Sequence, residues 1–278
     1  MPLARTADLV AAAYRDRSAV LACNVITLEH AEAIVAGAER VGRPVILQLS
    51  ENAVKFHHGR LAPVAAAAGA VAAAAAVDVA VHLDHVEDEH LLHAAAATSA
   101  SSVMFDASKL DYAANVAATK TAVDWAHREG LFLEAELGEV GGKDGAHAPG
   151  VRTDPDEAVA FVAATGVDAL AVAVGSSHAM SQRSATLDFE LIGRLRAALS
   201  VPLVLHGSSG VSDNDLRSAV EAGLTKINVG TLLNVRFTAA VRSYLAAEPD
   251  VNDPRRYLSP ARDAIADAVA ALLAAIDG

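Results

Sequence analysis

Residues 201–229 read VPLVLHGSSGVSDNDLRSAVEAGLTKINV, and the order of apolar and polar residues in this stretch decides the fold class. Two short apolar runs, Leu203–His206 and Thr225–Val229, predict strands. Asp213–Ala222, between them, has helical spacing, and Ser212 in front of it is a suitable helix N-cap. A strand, a helix and a second strand in this order form a βαβ unit, whose two strands run parallel.

The same alternation extends outward over the rest of the chain. Apolar runs rich in Val, Ile and Leu predict eight strands, and the segments between them predict helices. The predicted strands are Val20–Asn24, Pro44–Ser50, Asp78–Leu83, Ser101–Phe105, Leu131–Glu136, Ala169–Val174, Leu203–His206 and Thr225–Val229. The predicted helices include Leu28–Val41, Val86–Ala97, Tyr112–Glu129, Pro155–Thr165, Phe189–Leu199 and Asp213–Ala222, with Asp154, Asp188 and Ser212 as N-caps of the last three.

Near-continuous apolar strands are typical of a parallel sheet that is covered on both faces. Eight such strands without a long linker favour a closed sheet, and 278 residues suit one barrel of roughly 250 residues. The sequence therefore predicts an α/β fold, a single (β/α)8 TIM barrel over residues 1–278. A C-terminal helical segment at about 253–278 is expected to pack outside the barrel or between subunits.

Composition excludes several classes of protein. The 22 Lys and Arg against 34 Asp and Glu give a formal net charge of −12, so we expect no nucleic-acid partner. The single cysteine, Cys23, cannot form an internal disulfide, and residues 1–18 lack a secretory apolar core. The alanine-rich stretch Ala62–Val77 is shorter than the roughly 20 residues of a membrane span and predicts a soluble helix. A cytoplasmic protein without membrane contact is expected.

Reactive side chains concentrate where the predicted strands end, which is the catalytic face of such a barrel. The strand starts, in contrast, read Ala, Pro, Val and Leu. The glycine-rich segment 138–151 follows the fifth strand and is a candidate mobile loop over an active site. The polar strand ends are Asn24, Gln48 and Ser50, His82 to His85, Asp106, Glu134 and Glu136, Gly175 to His178, His206 to Gly210, and Asn228 to Thr231.

Three histidines at these ends, His85, His178 and His206, predict a catalytic zinc site. Three imidazoles that converge on one metal ion leave its fourth coordination position for water or substrate. The three histidines are far apart in the sequence, so only closure of the barrel would bring them together. The fourth strand-end histidine, His82, shares a strand face with Asp84 and is interpreted as an interior residue rather than a ligand.

Nearby acidic and histidine residues leave alternatives open. Asp84, beside a metal ligand, is either the proton-transferring base or a partner that orients a ligand histidine. Glu134 and Glu136 share one strand face, and they could hold a second metal position or hydrogen-bond His85 and His206. His90 and His93 could also bind metal, but the acidic run before them is typical of a solvated helix start.

Two turns of glycine and hydroxyl residues follow the last two strands, where barrels of this kind bind phosphate. They are Gly207-Ser-Ser-Gly210 and Asn228-Val-Gly-Thr231. Their backbone N–H groups predict a site for a small phosphate.

Several motifs resemble the class II, metal-dependent ketose-bisphosphate aldolases, in the fructose- and tagatose-bisphosphate branch. The resemblance runs in order from Asn24 to Thr231 and reaches residues 253–262. The motifs that carry it are His82-Leu-Asp-His85, Ser102-Val-Met-Phe-Asp106, Glu134-Ala-Glu-Leu-Gly138, residues 165–175 followed by His178, Leu205-His-Gly-Ser-Ser-Gly-Val211 and Lys226-Ile-Asn-Val-Gly-Thr231.

The resemblance implies zinc-dependent, reversible cleavage of a ketose bisphosphate into dihydroxyacetone phosphate and an aldehyde such as glyceraldehyde 3-phosphate. It also implies a homodimer or homotetramer and a role in carbohydrate metabolism, such as glycolysis. His85, His178 and His206 would hold one zinc ion, with Glu134 at a second metal position, and Asp84 would transfer the proton. A monovalent cation, Na⁺ or K⁺, would sit nearby. The substrate- and phosphate-binding residues would be Asn24, Ser50, Gly175, Gly207, Ser208, Ser209, Asn228, Val229, Gly230 and Thr231.

Some positions depart from the family pattern. Ala179 and Ser208 replace glycines, while Leu232 and Asn234 stand where the family usually has an acid and a base. The neutral pair predicts weak binding of a distal phosphate. Two other functions remain open, a Schiff-base aldolase with Lys226 as nucleophile and a non-catalytic sugar-phosphate-binding accessory subunit.

Overall fold

Eight parallel strands close into a barrel, in chain order, in the computed structural model of the chain, which describes residues 3–137, 152–176 and 183–276. Each strand pairs with the next, and β1 pairs with β8 to close the sheet. The predicted (β/α)8 architecture is thereby confirmed. The strands are β1 Val20–Asn24, β2 Val45–Ser50, β3 Val79–Val86, β4 Ser102–Phe105, β5 Phe132–Glu136, β6 Ala169–Ala171, β7 Leu203–Leu205 and β8 Leu224–Val229.

Helices surround the sheet. They are α1 Thr6–Asp16, α2 Leu28–Val41, α3 Glu51–Phe56, α4 Leu61–Ala74, α5 Glu89–Ala94, α6 Tyr112–Arg128, α7 Pro155–Thr165, α8 Phe189–Ala198, α9 Asp213–Ala222, α10 Thr231–Ala247 and α11 Pro254–Ile276. Short 3₁₀ turns cover Ala95–Ala97 and Ser208–Gly210. In the part of the chain described, no helix combines the length and the apolar character that crossing a bilayer requires.

Polar caps fix where several helices begin. Asp154, Asp188 and Ser212 each accept a hydrogen bond from a backbone N–H in the first turn of the helix that follows, as the sequence predicts. Helices α2, α7 and α9 have the predicted bounds. Where apolar periodicity and a cap residue coincide, the sequence therefore locates the start of a helix to the residue.

Strand β3 is longer than the sequence predicts. The predicted strand ends at Leu83 and the predicted helix starts at Val86, whereas β3 continues to Val86 and α5 begins at Glu89. Val86 pairs with Phe105 of β4, and the Asp88 side chain caps α5 by accepting from the His90 N–H. The chain thus stays extended until this cap.

The barrel interior is apolar at the end where the strands begin. Helix α1 packs on this end. Just before the helix, the Ala4 N–H donates to the Val79 carbonyl at 3.0 Å. From the middle of the strands onward the interior becomes polar, and Gln48, His82 and Lys226 are almost completely buried there. The apolar residues at the end where the strands begin are Leu9, Val10, Val20, Ala22, Ile46 and Ala80.

The C-terminal helix α11 packs outside the barrel, against α2, α9 and α10. Gly37 of α2 lies under it so closely that a Cβ there would be 2.6 Å from the Ala266 carbonyl oxygen and 2.9 Å from the Val269 Cβ. Glycine therefore permits the close approach of these two helices.

Replacing Gly37 by alanine is expected to lower the free energy of unfolding by about 1–3 kcal/mol, because the added methyl group overpacks the contact between α2 and α11. Urea denaturation measures this change. Gly193→Ala, in the interior of α8, is the matched control, since a Cβ there meets nothing within 4 Å. That variant should gain about 0.5–1 kcal/mol from helix propensity. Equal stabilisation of both variants would contradict the packing argument.

Candidate active site

Asp84 and His85 both belong to the site because β3 is irregular. Successive residues of a regular strand face opposite sides of a sheet, so a strand that turns Asp84 inward would turn His85 outward. The pairing of β3 with β4 shifts between Leu83 and Val86, and His85 has a φ of 48°, in the left-handed region. This bulge brings two neighbouring residues into the same pocket.

The His85 ring is oriented by Asp106, which follows β4. His85 Nδ1 lies 2.9 Å from Asp106 Oδ2. Asp106 Oδ1 in turn accepts from the Ser108 N–H at 3.1 Å and from the Ser108 hydroxyl at 2.6 Å. Burial lowers the pKa of His85, but Asp84 and Asp106 outweigh it, so the pKa is raised. The carboxylate thus sets which way the imidazole faces.

His206 follows β7 and lies completely buried between two carboxylates. Its Nε2 is 3.0 Å from Glu134 Oε1 and its Nδ1 is 3.0 Å from Glu136 Oε2. Burial opposes the charged ring, but the two acids outweigh it and raise the pKa of His206 to about 10. The Ser176 hydroxyl donates to the His206 carbonyl at 2.6 Å, which anchors its backbone.

Candidate metal-binding atoms of Asp84, His85 and His206 all lie within 4.8 Å of one another. The two rings meet edge-on at 64°, with their centroids 4.7 Å apart. Imidazole nitrogen and carboxylate oxygen are ligands that zinc accepts, so this donor set fits the metal that the sequence predicts. His178, the third predicted ligand, lies outside the described residues, as do the 138–151 loop and Ala179.

Both oxygens of Glu134 are engaged inside the protein. Oε1 contacts His206, while Oε2 accepts from Lys226 Nζ at 2.8 Å. Burial raises the pKa of Glu134, but Lys226 and His206 outweigh it and hold the pKa far below its usual range. The sequence leaves two roles open for Glu134 and Glu136, a second metal position or hydrogen bonds to histidines. In the structure both carboxylates contact His206.

Asp84 is almost completely buried and accepts a hydrogen bond from Asn228 Nδ2 at 3.3 Å. Below it, His82 Nε2 is 3.9 Å from Asp84 Oδ1 and has no hydrogen-bond partner among the described residues. His82 Nδ1 lies 2.7 Å from the Ser102 hydroxyl, which donates to Thr6 Oγ1 of α1. Burial, and then the charge of Lys226, hold the pKa of His82 well below its usual value, so the ring is neutral.

The two predicted phosphate turns touch each other. Ser208 Oγ donates to the Asn228 carbonyl, and the Leu232 N–H donates to Ser209 Oγ at 3.0 Å. Gly207 has a φ of 68°, which leads the chain from β7 into the 3₁₀ turn. Thr231 is the first residue of α10, so the turns lie at the N-terminus of that helix.

The other predicted substrate-binding residues lie at or just after the ends of β1, β2, β6 and β8. A Cβ on Gly230 would be 3.1 Å from the Asn24 amide, so these two residues are in close contact. Val229 ends β8 and pairs with β1. The Ser50 hydroxyl accepts from the Ala53 N–H at 3.1 Å and caps α3. Gly175 follows β6, and its φ of 122° places it under the Thr186 carbonyl.

The sequence pattern identifies Asp106 only as a polar residue at the end of a strand. It does not predict that Asp106 orients the His85 ring. The available signal was its position, since Asp106 follows β4 at the barrel end where β3 delivers His85. The contact of Ser102 with His82 joins residues that pair directly across β3 and β4. The contact of Thr6 with Ser102 links α1 to β4 and had no sequence signal.

Comparisons with known proteins agree with this geometry. The sequence model of the class-II fructose-bisphosphate aldolase family matches residues 4–277. The crystal structure of the YdjI aldolase from Escherichia coli K12 is 32% identical, with a TM-score of 0.81 over 99% of this chain and 97% of that one. A candidate fructose-1,6-bisphosphate aldolase from Coccidioides immitis is 29% identical, with a TM-score of 0.85 over 98% and 96%. At 22% identity, the fructose-bisphosphate aldolase of Campylobacter jejuni shares the fold, with a TM-score of 0.83 over 99% and 96%.

Proposed function

The chain belongs to the class II fructose-bisphosphate aldolase family and is a carbon–carbon lyase, and from this premise we propose that it cleaves a ketose phosphate to dihydroxyacetone phosphate and an aldehyde. The substrate is of the fructose 1,6- or tagatose 1,6-bisphosphate type, and the aldehyde is of the glyceraldehyde 3-phosphate type. The observation that carries the proposal is the convergence of Asp84, His85 and His206 within 4.8 Å at the carboxyl ends of the strands.

His85, His178 and His206 are proposed to hold one zinc ion per chain. When bound, zinc supplies a Lewis acid that polarises the ketose carbonyl. Asp106 orients His85 at 2.9 Å. Both ring nitrogens of His206 contact carboxylates, Nε2 that of Glu134 and Nδ1 that of Glu136, at 3.0 Å each. Zinc would replace one of these two contacts, and the other carboxylate would continue to orient the ring.

Asp84 is proposed as the acid/base. In cleavage its carboxylate takes the proton of the C4 hydroxyl, C4 becomes the carbonyl carbon of the aldehyde, and the electron pair of the broken C3–C4 bond stays on C3 as an enediolate, which takes up a proton to give dihydroxyacetone phosphate. In condensation the proton on the carboxylate returns to the C4 oxygen. The hydrogen bond from Asn228 Nδ2 holds one carboxylate oxygen at 3.3 Å, so the carboxylate has a fixed orientation. Asn228 thus supports the base in addition to its proposed place at the substrate.

The triose phosphate is proposed to rest on the turns Gly207 to Ser209 and Asn228 to Thr231, with Asn24, Ser50 and Gly175 nearby. The N-terminus of α10 contributes N–H groups and a partial positive charge for the anion. A monovalent cation, Na⁺ or K⁺, beside this phosphate is part of the proposal, as are a homodimer or homotetramer and a cytoplasmic location.

The Schiff-base alternative is disfavoured by the surroundings of Lys226. A nucleophilic lysine needs a free amine that reaches the substrate carbonyl, whereas Lys226 is completely buried, with Nζ 2.8 Å from Glu134 Oε2 and 2.8 Å from Asn228 Oδ1. These contacts are typical of a lysine that pairs with an interior carboxylate. An accessory subunit without turnover is disfavoured by the ordered positions of Asp84, His85 and His206.

One experiment separates these three functions. Purified protein is assayed for cleavage before and after treatment with a chelator, and is also treated with borohydride in the presence of ketose phosphate. Metal catalysis predicts activity that the chelator removes and added zinc restores, without a covalent adduct. Trapped substrate on Lys226 would support the Schiff base, and a zinc-loaded protein without turnover would support the accessory subunit.

Substrate preference is expected to depend weakly on the distal phosphate. Asn234 is neutral and lies beside His30, while Leu232 packs on the hydrophobic core. Of the arginines that follow in the sequence, Arg255 and Arg256 donate to Asp253 and to the Tyr244 hydroxyl. A hydrogen bond to the distal phosphate would therefore lack charge assistance, which roughly doubles the strength of such a bond. We expect kcat/KM for fructose or tagatose 1,6-bisphosphate to exceed that for the 1-monophosphates by less than about 10³-fold.

Steady-state kinetics on the four ketose phosphates measures this ratio. A preference of about 10³-fold or more would correspond to about 4 kcal/mol at the distal phosphate and would require a further cation. An Asn234→Lys variant is the matched test, because it restores a charge at this position and should raise the ratio selectively.

A further inference from the structure

Lys226 lies in the barrel interior, completely buried, and has no part in the proposed bond cleavage. Its ammonium has three donors, and three acceptors surround it. They are Glu134 Oε2 at 2.8 Å, Asn228 Oδ1 at 2.8 Å and Gln48 Oε1 at 3.4 Å. These acceptors come from β5, β8 and β2, so one side chain connects separate parts of the barrel wall.

Each acceptor leads directly to a different part of the site. Glu134 contacts the metal ligand His206 through its other oxygen, at 3.0 Å. Gln48 donates through its amide nitrogen to Asn24 Oδ1 at 2.9 Å, and the Asn24 amide touches Gly230 of the phosphate turn. The three contacts therefore reach the metal ligand, the acid/base and the phosphate turn.

The contact with Asn228 also fixes which way its amide points. Because Oδ1 accepts from the ammonium, Nδ2 faces Asp84 Oδ1 at 3.3 Å. In the flipped amide, oxygen would face the carboxylate and the NH₂ group would face the ammonium, and both contacts would be repulsive. The charge of Lys226 thus selects one of the two amide orientations.

We propose that Lys226 is a positioning residue that orients the metal ligand His206, the acid/base Asp84 and the phosphate-site residue Asn24 at once, through Glu134, Asn228 and Gln48. The proposal rests on the roles assigned to these residues under the proposed function. A neutral side chain at position 226 would leave the buried Glu134 without its lysine partner and Asn228 without a preferred orientation.

The test uses Lys226→Met in the full-length protein, with zinc affinity measured by competition with a chromogenic chelator. Because Glu134 loses its partner, the affinity for zinc should fall by about 10- to 100-fold, the usual effect of removing a group that orients a ligand. The double variant Lys226→Met/Glu134→Gln removes both buried charges together and should recover most of this affinity. If the single variant does not fold, zinc affinity can still be measured on the double variant.

The second arm is a double-mutant cycle of Lys226→Met and Asn228→Ala on kcat in zinc-saturated protein. If Lys226 acts through Asn228, the double variant should have nearly the same kcat as Asn228→Ala alone, so the effects should not multiply. KM for the ketose phosphate should rise separately, through Gln48 and Asn24. Independent, multiplying effects on kcat would overturn this part of the proposal.

Gly37→Ala serves as the control for a purely structural role, since it is expected to destabilise the fold without touching the barrel interior. It should leave zinc affinity and kcat unchanged in folded protein. If Lys226→Met also left both unchanged, Lys226 would be a structural residue only. The zinc arm needs no turnover, so a wild-type protein that lacks aldolase activity would refute the proposed function and still leave this arm decisive.

Discussion

Replacing His206 by alanine is expected to abolish zinc binding and aldolase activity together. The imidazole is buried between Glu134 and Glu136, so its loss removes a proposed metal ligand and leaves two carboxylates facing one cavity. A site stripped of one of three histidines no longer completes its coordination. Wild-type protein should carry about one zinc ion per chain, and the variant none, with kcat/KM lower by at least about 10³-fold.

Metal analysis after gel filtration, together with a cleavage assay, measures both quantities. His206→Gln keeps a hydrogen-bonding group between the carboxylates and serves if the alanine variant does not fold. His90→Ala is the matched control, because His90 is an exposed residue in the first turn of α5 and should not bind the catalytic metal. Full zinc occupancy in folded His206→Ala would remove His206 from the ligand set.

Asp84→Asn is expected to separate metal binding from catalysis. The amide is nearly isosteric with the carboxylate, and its oxygen can still accept from Asn228 Nδ2, but it cannot take up a proton. Zinc content and dihydroxyacetone phosphate binding should therefore persist, while kcat should fall by about 10² to 10⁴-fold, the usual contribution of a positioned acid/base.

Steady-state kinetics measures this loss, and calorimetry with dihydroxyacetone phosphate measures the binding. Asp88→Asn is a suitable control, since Asp88 caps α5 at 2.8 Å from the His90 nitrogen and an asparagine caps almost as well. Near-normal turnover of Asp84→Asn would transfer the proton role to another residue, with Asp144 of the 138–151 segment as the next candidate.

The fold follows from the sequence because its signals are local and repeated. Alternating apolar runs and helical segments predict eight strands, and residues 201–229 alone contain one complete βαβ unit. Boundaries are recovered where a cap residue and the periodicity coincide, as at Asp154 and Ser212. They are missed at β3, where pairing with β4 extends the strand beyond its apolar run.

The site is less accessible to sequence reasoning, because its contacts join distant parts of the chain. Strand-end positions bring Asp84, His85 and His206 to one barrel end, which a pattern can predict. The contacts that orient them cannot be predicted in this way. His206 meets Glu134 across 72 positions, and whether that carboxylate contacts a histidine or a metal depends on side-chain geometry.

The bulge in β3 also affects how the site responds to thermal motion. The proposed acid/base and one proposed metal ligand, Asp84 and His85, share a peptide bond, so their Cα atoms stay about 3.8 Å apart whatever the barrel does. His206 follows β7, on another part of the barrel wall, so its distance to both depends on the shape of the sheet. A change in the shape of the barrel would therefore alter the distance from His206 to the two β3 residues. The Cα spacing between the proposed acid/base and the proposed metal ligand on β3 would stay the same, because covalent geometry sets it.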